Sequence, residues 1–231
     1  MNPARVTLRL GTWNLAGRWS ERHKAALAAV DCDVWLLTEV RSDTAMDGYQ
    51  PHFSAGFMAT DRHWAGLLFR RGTEIDGWRP DPHPASAAAT VEGITYCSSI
   101  LPWRACGTKN PWIGGTCEAK TDAATRTIAT ALPAGTTVWG GDWNHGLSGP
   151  ERAGSRAGRD HINRTLDSLE LRAVTTELAH RIDGLRTIDH IAVPKDFNVQ
   201  QVRRIEMTAN GRPLSDHDAY VVDAMVNRRD E

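Results

Sequence analysis

Apolar and polar positions alternate in short blocks, and the periods of those blocks predict many strands and three helices. Val6 to Leu10 (VTLRL) alternates at period two, the pattern of a strand with one buried face. Residues 21–30 (ERHKAALAAV) carry apolar positions at Ala25, Leu27, Ala28 and Ala29 behind Ser20, a residue suited to capping a helix. Asp33 to Val40 (DVWLLTEV) is a short, nearly unbroken apolar run, as expected of a strand covered on both faces. Shorter strand-like pieces follow at 52–60, 64–70 and 90–101. Residues 121–132 read as a helix and 136–143 as a strand ending in a loop. In 158–171, Ile162, Leu166 and Leu169 recur at helical spacing. Three further strands are expected at 187–193, 202–208 and 217–226. No repeat, low-complexity tract or linker divides the chain, so one domain over 1–231 is expected. Many strands among few helices predict two packed sheets with helices outside them. A strand-helix-strand opening and a strand-loop-helix-strand unit in the second half hint at an internal two-fold layout.

Composition narrows the class. Of the 231 residues 41% are hydrophobic, enough for a buried core, and 24% are charged. The formal net charge of -1 is not that of a protein that holds nucleic acid mainly by charge, although a local basic rim would suffice for such a substrate. Neither a leader-like apolar region nor a membrane-length apolar run is seen, so a cytoplasmic protein without a membrane partner is expected, as a monomer. The four cysteines form no CxxC pair or zinc pattern. Buried thiols are the simple reading, with Cys106 and Cys117 able to pair in an oxidising compartment. Among nine tryptophans, Trp13, Trp35, Trp139 and Trp143 lie in strand-like runs and read as core. Trp103 and Trp112 lie in a loop-like stretch and are candidates for substrate contact.

Candidate chemistry gathers where strand-like runs end, the places where a rigid scaffold presents functional groups. These are Asn14 in GTWNLAG, Glu39 in LLTEV, Asp142 and Asn144 in GGDWN, and Asp216 with His217 in LSDHD; Asp189 with His190 lies within TIDHI. Each has an ordinary structural reading when taken alone. Asn14 and Ser215-Asp216 could be turn residues, Glu39 a solvated strand end, and His217 a core histidine. Taken together, converging carboxylates would repel one another, and a divalent cation removes that cost. Oxygen donors such as Glu39, Asp216 and the Asn14 carbonyl suit a hard ion, Mg²⁺ or Mn²⁺. His217 could donate to a phosphoryl oxygen, with Asp189 fixing its tautomer.

GTWNLAG, LLTEV, GGDWN, TIDHI and SDHDAY, in that order, resemble the endonuclease/exonuclease/phosphatase (DNase-I-like) superfamily over residues 11–220. The motifs do not name a subfamily. The resemblance implies an α/β (α+β) fold, a four-layered sandwich of two mostly antiparallel sheets flanked by helices, with the site at one edge. It also implies a metal-dependent phosphoesterase. Glu39 would be the principal Mg²⁺ ligand, helped by Asn14 and Asp216. Asp142 would activate water, and Asn144 would hold it or a phosphate oxygen. His217, oriented by Asp189, would bind the scissile phosphate, while His190 would be structural. One departure is visible: where many members carry a His or Tyr before a proline, this chain has Ser99 and Ile100. Trp103, Arg104 or Lys109 could supply the missing substrate contact.

A nuclease acting on DNA or RNA is the first expectation, supported by Arg62, Arg104, Lys109, Arg152, Arg156 and Arg159 in loops expected near the site. A small-molecule or lipid-headgroup phosphatase with Pro102–Lys120 as a lid is the alternative. A silent binding domain ranks lower, because none of the five motifs is broken.

Overall fold

In the computed structural model, residues 5–108, 111–150 and 152–227 are described. Along the chain come β1 (Arg5–Asn14), α1 (Glu21–Val30), β2 (Val34–Arg41), β3 (Tyr49–Phe53), β4 (Phe57–Ala59), β5 (Arg62–Arg70), β6 (Ile75–Trp78), β7 (Ser86–Val91) and β8 (Ile94–Ser99). Then follow α2 (Cys117–Ala131), β9 (Thr137–Asp142), α3 (Arg156–Ser168), β10 (Leu171–Ala173), β11 (Asp189–Pro194), β12 (Asn198–Ile205), β13 (Thr208–Ala209), β14 (Arg212–Pro213) and β15 (Ala219–Asn227).

One sheet has the order β12-β15-β1-β2-β5-β3, with β4 also on β5; the other runs β10-β11-β9-β8-β7-β6. Both are mostly antiparallel, but β1 runs parallel to β2, and β8 to β9. Parallel neighbours need a crossover, and α1 and α2 supply the two crossovers. Each sheet thus holds one β-α-β unit with a parallel pair, whereas the second-half strands β9 and β11 on either side of α3 pair antiparallel.

Three apolar clusters hold four layers together. Leu10, Leu36, Leu67, Val138, Ile191 and Val222 fill the space between the sheets. Trp13, Trp35, Leu37 and Val221 face the other way, against Leu27 of α1. Trp139, Trp143 and Ala192 pack under Ile128 of α2 and Ile162 and Leu166 of α3. Val34-Trp35-Leu36-Leu37 is a continuous apolar run because alternate side chains enter two different cores. Trp13, Trp35, Trp139 and Trp143 are fully buried.

Some boundaries differ from the sequence reading, each for a local reason. The expected strand at 90–101 is a hairpin, β7 to β8, because Glu92 and Gly93 both take positive φ (48° and 73°) and reverse the chain. The piece at 52–60 divides between β3 and β4. The helix expected from 158 starts at Arg156 behind Ser155, whose hydroxyl accepts from Gly158 N–H, and ends before β10. Ser20 stands at the α1 N-cap, but its hydroxyl meets the His23 ring at 2.8 Å and makes no capping bond. Cys32, Cys97, Cys106 and Cys117 are all free thiols. No helix among the described residues is long and apolar enough to cross a membrane.

Candidate active site

Strand direction assembles the site. β1, β2 and β9 all end at one edge of the sandwich, delivering Asn14, Glu39 and Asp142 there. β11 and β15 run antiparallel to β9 and β1, so they begin at that edge with Asp189 and, just before β15, His217. Asp189 is the cross-strand partner of Asp142.

The backbone at these strand ends is specialised. Gly141 has φ 122°, and a Cβ there would lie 2.2 Å from the Ser99 carbonyl oxygen. Glycine is thus required immediately before Asp142. Glu39 (φ 51°) and Asn144 (φ 53°) both sit in the left-handed region, which costs a non-glycine residue about 1 kcal/mol or more. Asn144 N–H donates to Asp142 Oδ1 at 2.9 Å, closing an Asx-turn, and its Nδ2 donates to the Leu101 carbonyl at 2.9 Å.

The side chains form one connected network. Asn14 Nδ2 donates to Asp142 Oδ2 at 3.0 Å and to Glu39 Oε1 at 3.2 Å. His217 Nδ1 lies 2.8 Å from Asp189 Oδ2, and its Nε2 is 3.9 Å from Asp142 Oδ2. Ser215 Oγ donates to the Asn14 carbonyl at 2.7 Å and accepts from His217 N–H at 3.2 Å, fastening the segment before β15 to the end of β1. Arg62 Nη1 donates to Glu39 Oε2 at 3.0 Å.

Burial drives the electrostatics. Asp142 has its pKa raised, first by loss of solvation and then by the charge of Asp189. For His217, burial disfavours the charged ring, but the Asp189 and Asp142 carboxylates outweigh it and lift the pKa to about 10. The two carboxylates thus favour the protonated ring, a state in which Nδ1–H is held by Asp189 and Nε2 faces Asp142. His190 is the opposite case. Burial lowers its pKa to about 4, and its Nε2 is 2.8 Å from the His145 carbonyl, a structural placement.

The residues suit a divalent cation. Asp189 Oδ1 is buried without a hydrogen-bond partner, and potential ligand atoms of Asp142, Asp189 and His217 lie within 4.8 Å of one another. His217 acts as a donor in this geometry, which leaves carboxylate oxygens as the natural ligands. Asp216 is exposed beside them.

Several expected residues are placed differently. The Asn14 side-chain carbonyl accepts from Ala16 N–H at 2.8 Å, so its amide group, not its oxygen, faces the carboxylates. In this arrangement Asn14 bridges Glu39 and Asp142 through its amide nitrogen. Trp112 is 3% exposed and packs edge-on against Trp64 and Trp103, so it is core and not a substrate platform. Trp103 is half-buried in that same stack. Arg104 directs Nε and Nη2 to the Gly154 carbonyl, at 3.0 and 2.7 Å, tying two loops together. Lys109 lies outside the described residues. Ser99 and Ile100 are buried, and Ser99 Oγ meets Ser86 Oγ at 2.8 Å, so neither side chain supplies a phosphate contact.

Tertiary structure adds groups that no motif announced. The His180 ring stands 6.3 Å from that of His217. A cavity of about 180 Å³ beside it is lined by Arg152, His180, Ile182, Leu185, Arg186 and Ile188. The sequence signal for this pocket was only a scatter of arginines. A larger cavity, about 400 Å³, lies at the opposite edge, where β1, β2, β8 and β9 begin, away from this chemistry.

No protein-family model matches the chain, and no curated protein matches it by sequence. Solved structures do match in fold. The AP endonuclease LMAP from Leishmania major has a TM-score of 0.70 at 14% identity, over 94% of this chain and 87% of that one. The 3' phosphatase NExo from Neisseria, bound to product DNA hairpin, has a TM-score of 0.69 at 18% identity, over 93% and 98%. The human Nocturnin catalytic domain has a TM-score of 0.63 at 18% identity, over 96% of both chains.

Proposed function

We propose, from the premise that this chain has the DNase-I-like endonuclease/exonuclease/phosphatase fold, that it is a single-domain, divalent-metal-dependent phosphoester hydrolase, and most specifically a phosphodiesterase or nuclease. The observation that carries the reading is the continuous network Asp189–His217–Asp142–Asn14–Glu39 at one sandwich edge.

The roles follow from the chemistry of each group. Asp142, a desolvated carboxylate with a raised pKa, is poised to accept a proton from an attacking water. Asn144, held on the same Asx-turn, orients that water or a phosphate oxygen. His217 donates from Nε2–H to a phosphoryl oxygen as negative charge builds there, and Asp189 holds the ring in orientation. Glu39, assisted by Asp216, would hold Mg²⁺ or Mn²⁺, which when bound polarises the phosphoryl group and neutralises its charge. Water attacks in line, and no covalent intermediate with the chain is required.

The cavity beside His180 supports a substrate with an apolar or planar group next to the phosphate, with Arg152 on its lining to meet an anionic oxygen, while the Arg186 guanidinium is held by the carbonyl and carboxylate of Glu177. This favours DNA or RNA. A second reading, a phosphatase for small phosphate esters, draws on the small volume of the same cavity. The test is incubation with Mg²⁺ or Mn²⁺ and plasmid, single-stranded DNA, RNA, bis-p-nitrophenyl phosphate and sugar phosphates, with EDTA and Asp142→Ala controls. Metal-dependent diester cleavage is expected. Release of phosphate from monoesters alone would sink the nuclease assignment in favour of the second reading, and inactivity on all of them would sink both.

A further inference from the structure

The register of β2 against β5 sets Arg41 opposite Arg62 and Val40 opposite His63, which brings Arg62 alongside Glu39. Both Glu39 oxygens are already engaged by donors: Oε1 by Asn14 Nδ2 at 3.2 Å, and Oε2 by Arg62 Nη1 at 3.0 Å. The loop after β1 is shaped around this guanidinium. Gly17 donates its N–H to the Glu39 carbonyl at 3.0 Å, and a Cβ on Gly17 would lie 2.4 Å from Arg62 Nε and 2.5 Å from Cζ. Its φ of 65° also favours glycine. The ion pair is half-open, with side chains 35% and 20% exposed, so it is weak enough to be exchanged.

We propose that Arg62 is a resident counter-ion of Glu39 that competes with the divalent ion for this carboxylate and is released towards the anionic substrate when the ion binds. The inference rests on the reading above that Glu39 holds the ion. Two cations around one carboxylate repel each other, and a guanidinium on a flexible stem is the one able to leave. Once released, its planar fork suits a phosphate oxygen pair, a contact that the buried Ser99 and Ile100 do not provide. Metal and substrate binding would thereby be coupled through one side chain.

The experiment is Mn²⁺ titration followed by electron paramagnetic resonance on the wild type, Arg62→Gln, Arg62→Lys and Glu39→Gln. Thermal melts verify that each variant is folded. Arg62→Gln is expected to bind Mn²⁺ about five- to tenfold more tightly, with Arg62→Lys in between. In the wild type, the Arg62 Nε–H resonance should shift, and its exchange with water should accelerate, as Mg²⁺ saturates the site. If Glu39→Gln loses Mn²⁺ while Arg62→Gln binds it no tighter than wild type, the competition is refuted and the metal assignment stands. An unmoved Arg62 resonance at saturation refutes the release. Unchanged Mn²⁺ affinity in Glu39→Gln overturns the metal assignment and this inference with it.

Discussion

At Asp142 a single buried carboxylate closes an Asx-turn with Asn144, accepts from Asn14 and faces His217. Replacing it by Asn keeps the shape and removes the base. Turnover is expected to fall by roughly 10²- to 10⁴-fold with little change in KM, measured by steady-state cleavage of bis-p-nitrophenyl phosphate. Gly141 is equally constrained for a different reason. Gly141→Ala puts a methyl group into the Ser99 backbone at a positive φ. We expect a loss of about 2–4 kcal/mol in urea denaturation, with activity falling because Asp142 shifts.

At the scale of elements, the two parallel pairs bring functional strand ends to one edge, and their crossover helices brace the loops nearby. Lys120 on α2 is 4% exposed and has no carboxylate partner among the described residues. Its Nζ instead donates to the Cys106 and Gly107 carbonyls at 2.8 and 3.0 Å, pinning the loop that follows Leu101. Leu101 in turn accepts from Asn144. Lys120→Met fills the same space without those bonds. It should cost about 1–3 kcal/mol in stability and speed amide exchange at Cys106, while α2 itself stays protected.

The whole molecule responds to acid through buried histidines. Burial lowers the pKa of both His83 and His190 to about 4. His83 Nδ1 accepts from Ala85 N–H at 3.1 Å, which also favours the neutral ring. Between about pH 6.5 and pH 4 the unfolded chain takes up protons that the folded one refuses, so stability falls as pH drops through this window. Each histidine contributes on the order of 3 kcal/mol to that fall. His83→Asn can retain an acceptor for Ala85 without titrating. Its acid limb in urea denaturation should be shallower than wild type by about one histidine's share, and an unchanged limb would remove His83 from the account.

What the sequence determined by itself was whatever depends on local pattern and motif. Apolar runs and periods located most strands and all three helices, and five short motifs marked the strand ends that carry acids, amides and His217. The four-layered sandwich is seen directly in the sheets and their three cores. Tertiary structure decided the rest, because a side chain's partner across a sheet or loop depends on register and approach, which local pattern does not encode. The amide of Asn14 faces two carboxylates because Ala16 N–H claims its oxygen. Trp112 is core because Trp64 and Trp103 close around it. Arg104 is taken up by Gly154, fifty residues away in sequence. Arg62 meets Glu39 because antiparallel pairing of β2 with β5 brings together residues 23 apart in the chain.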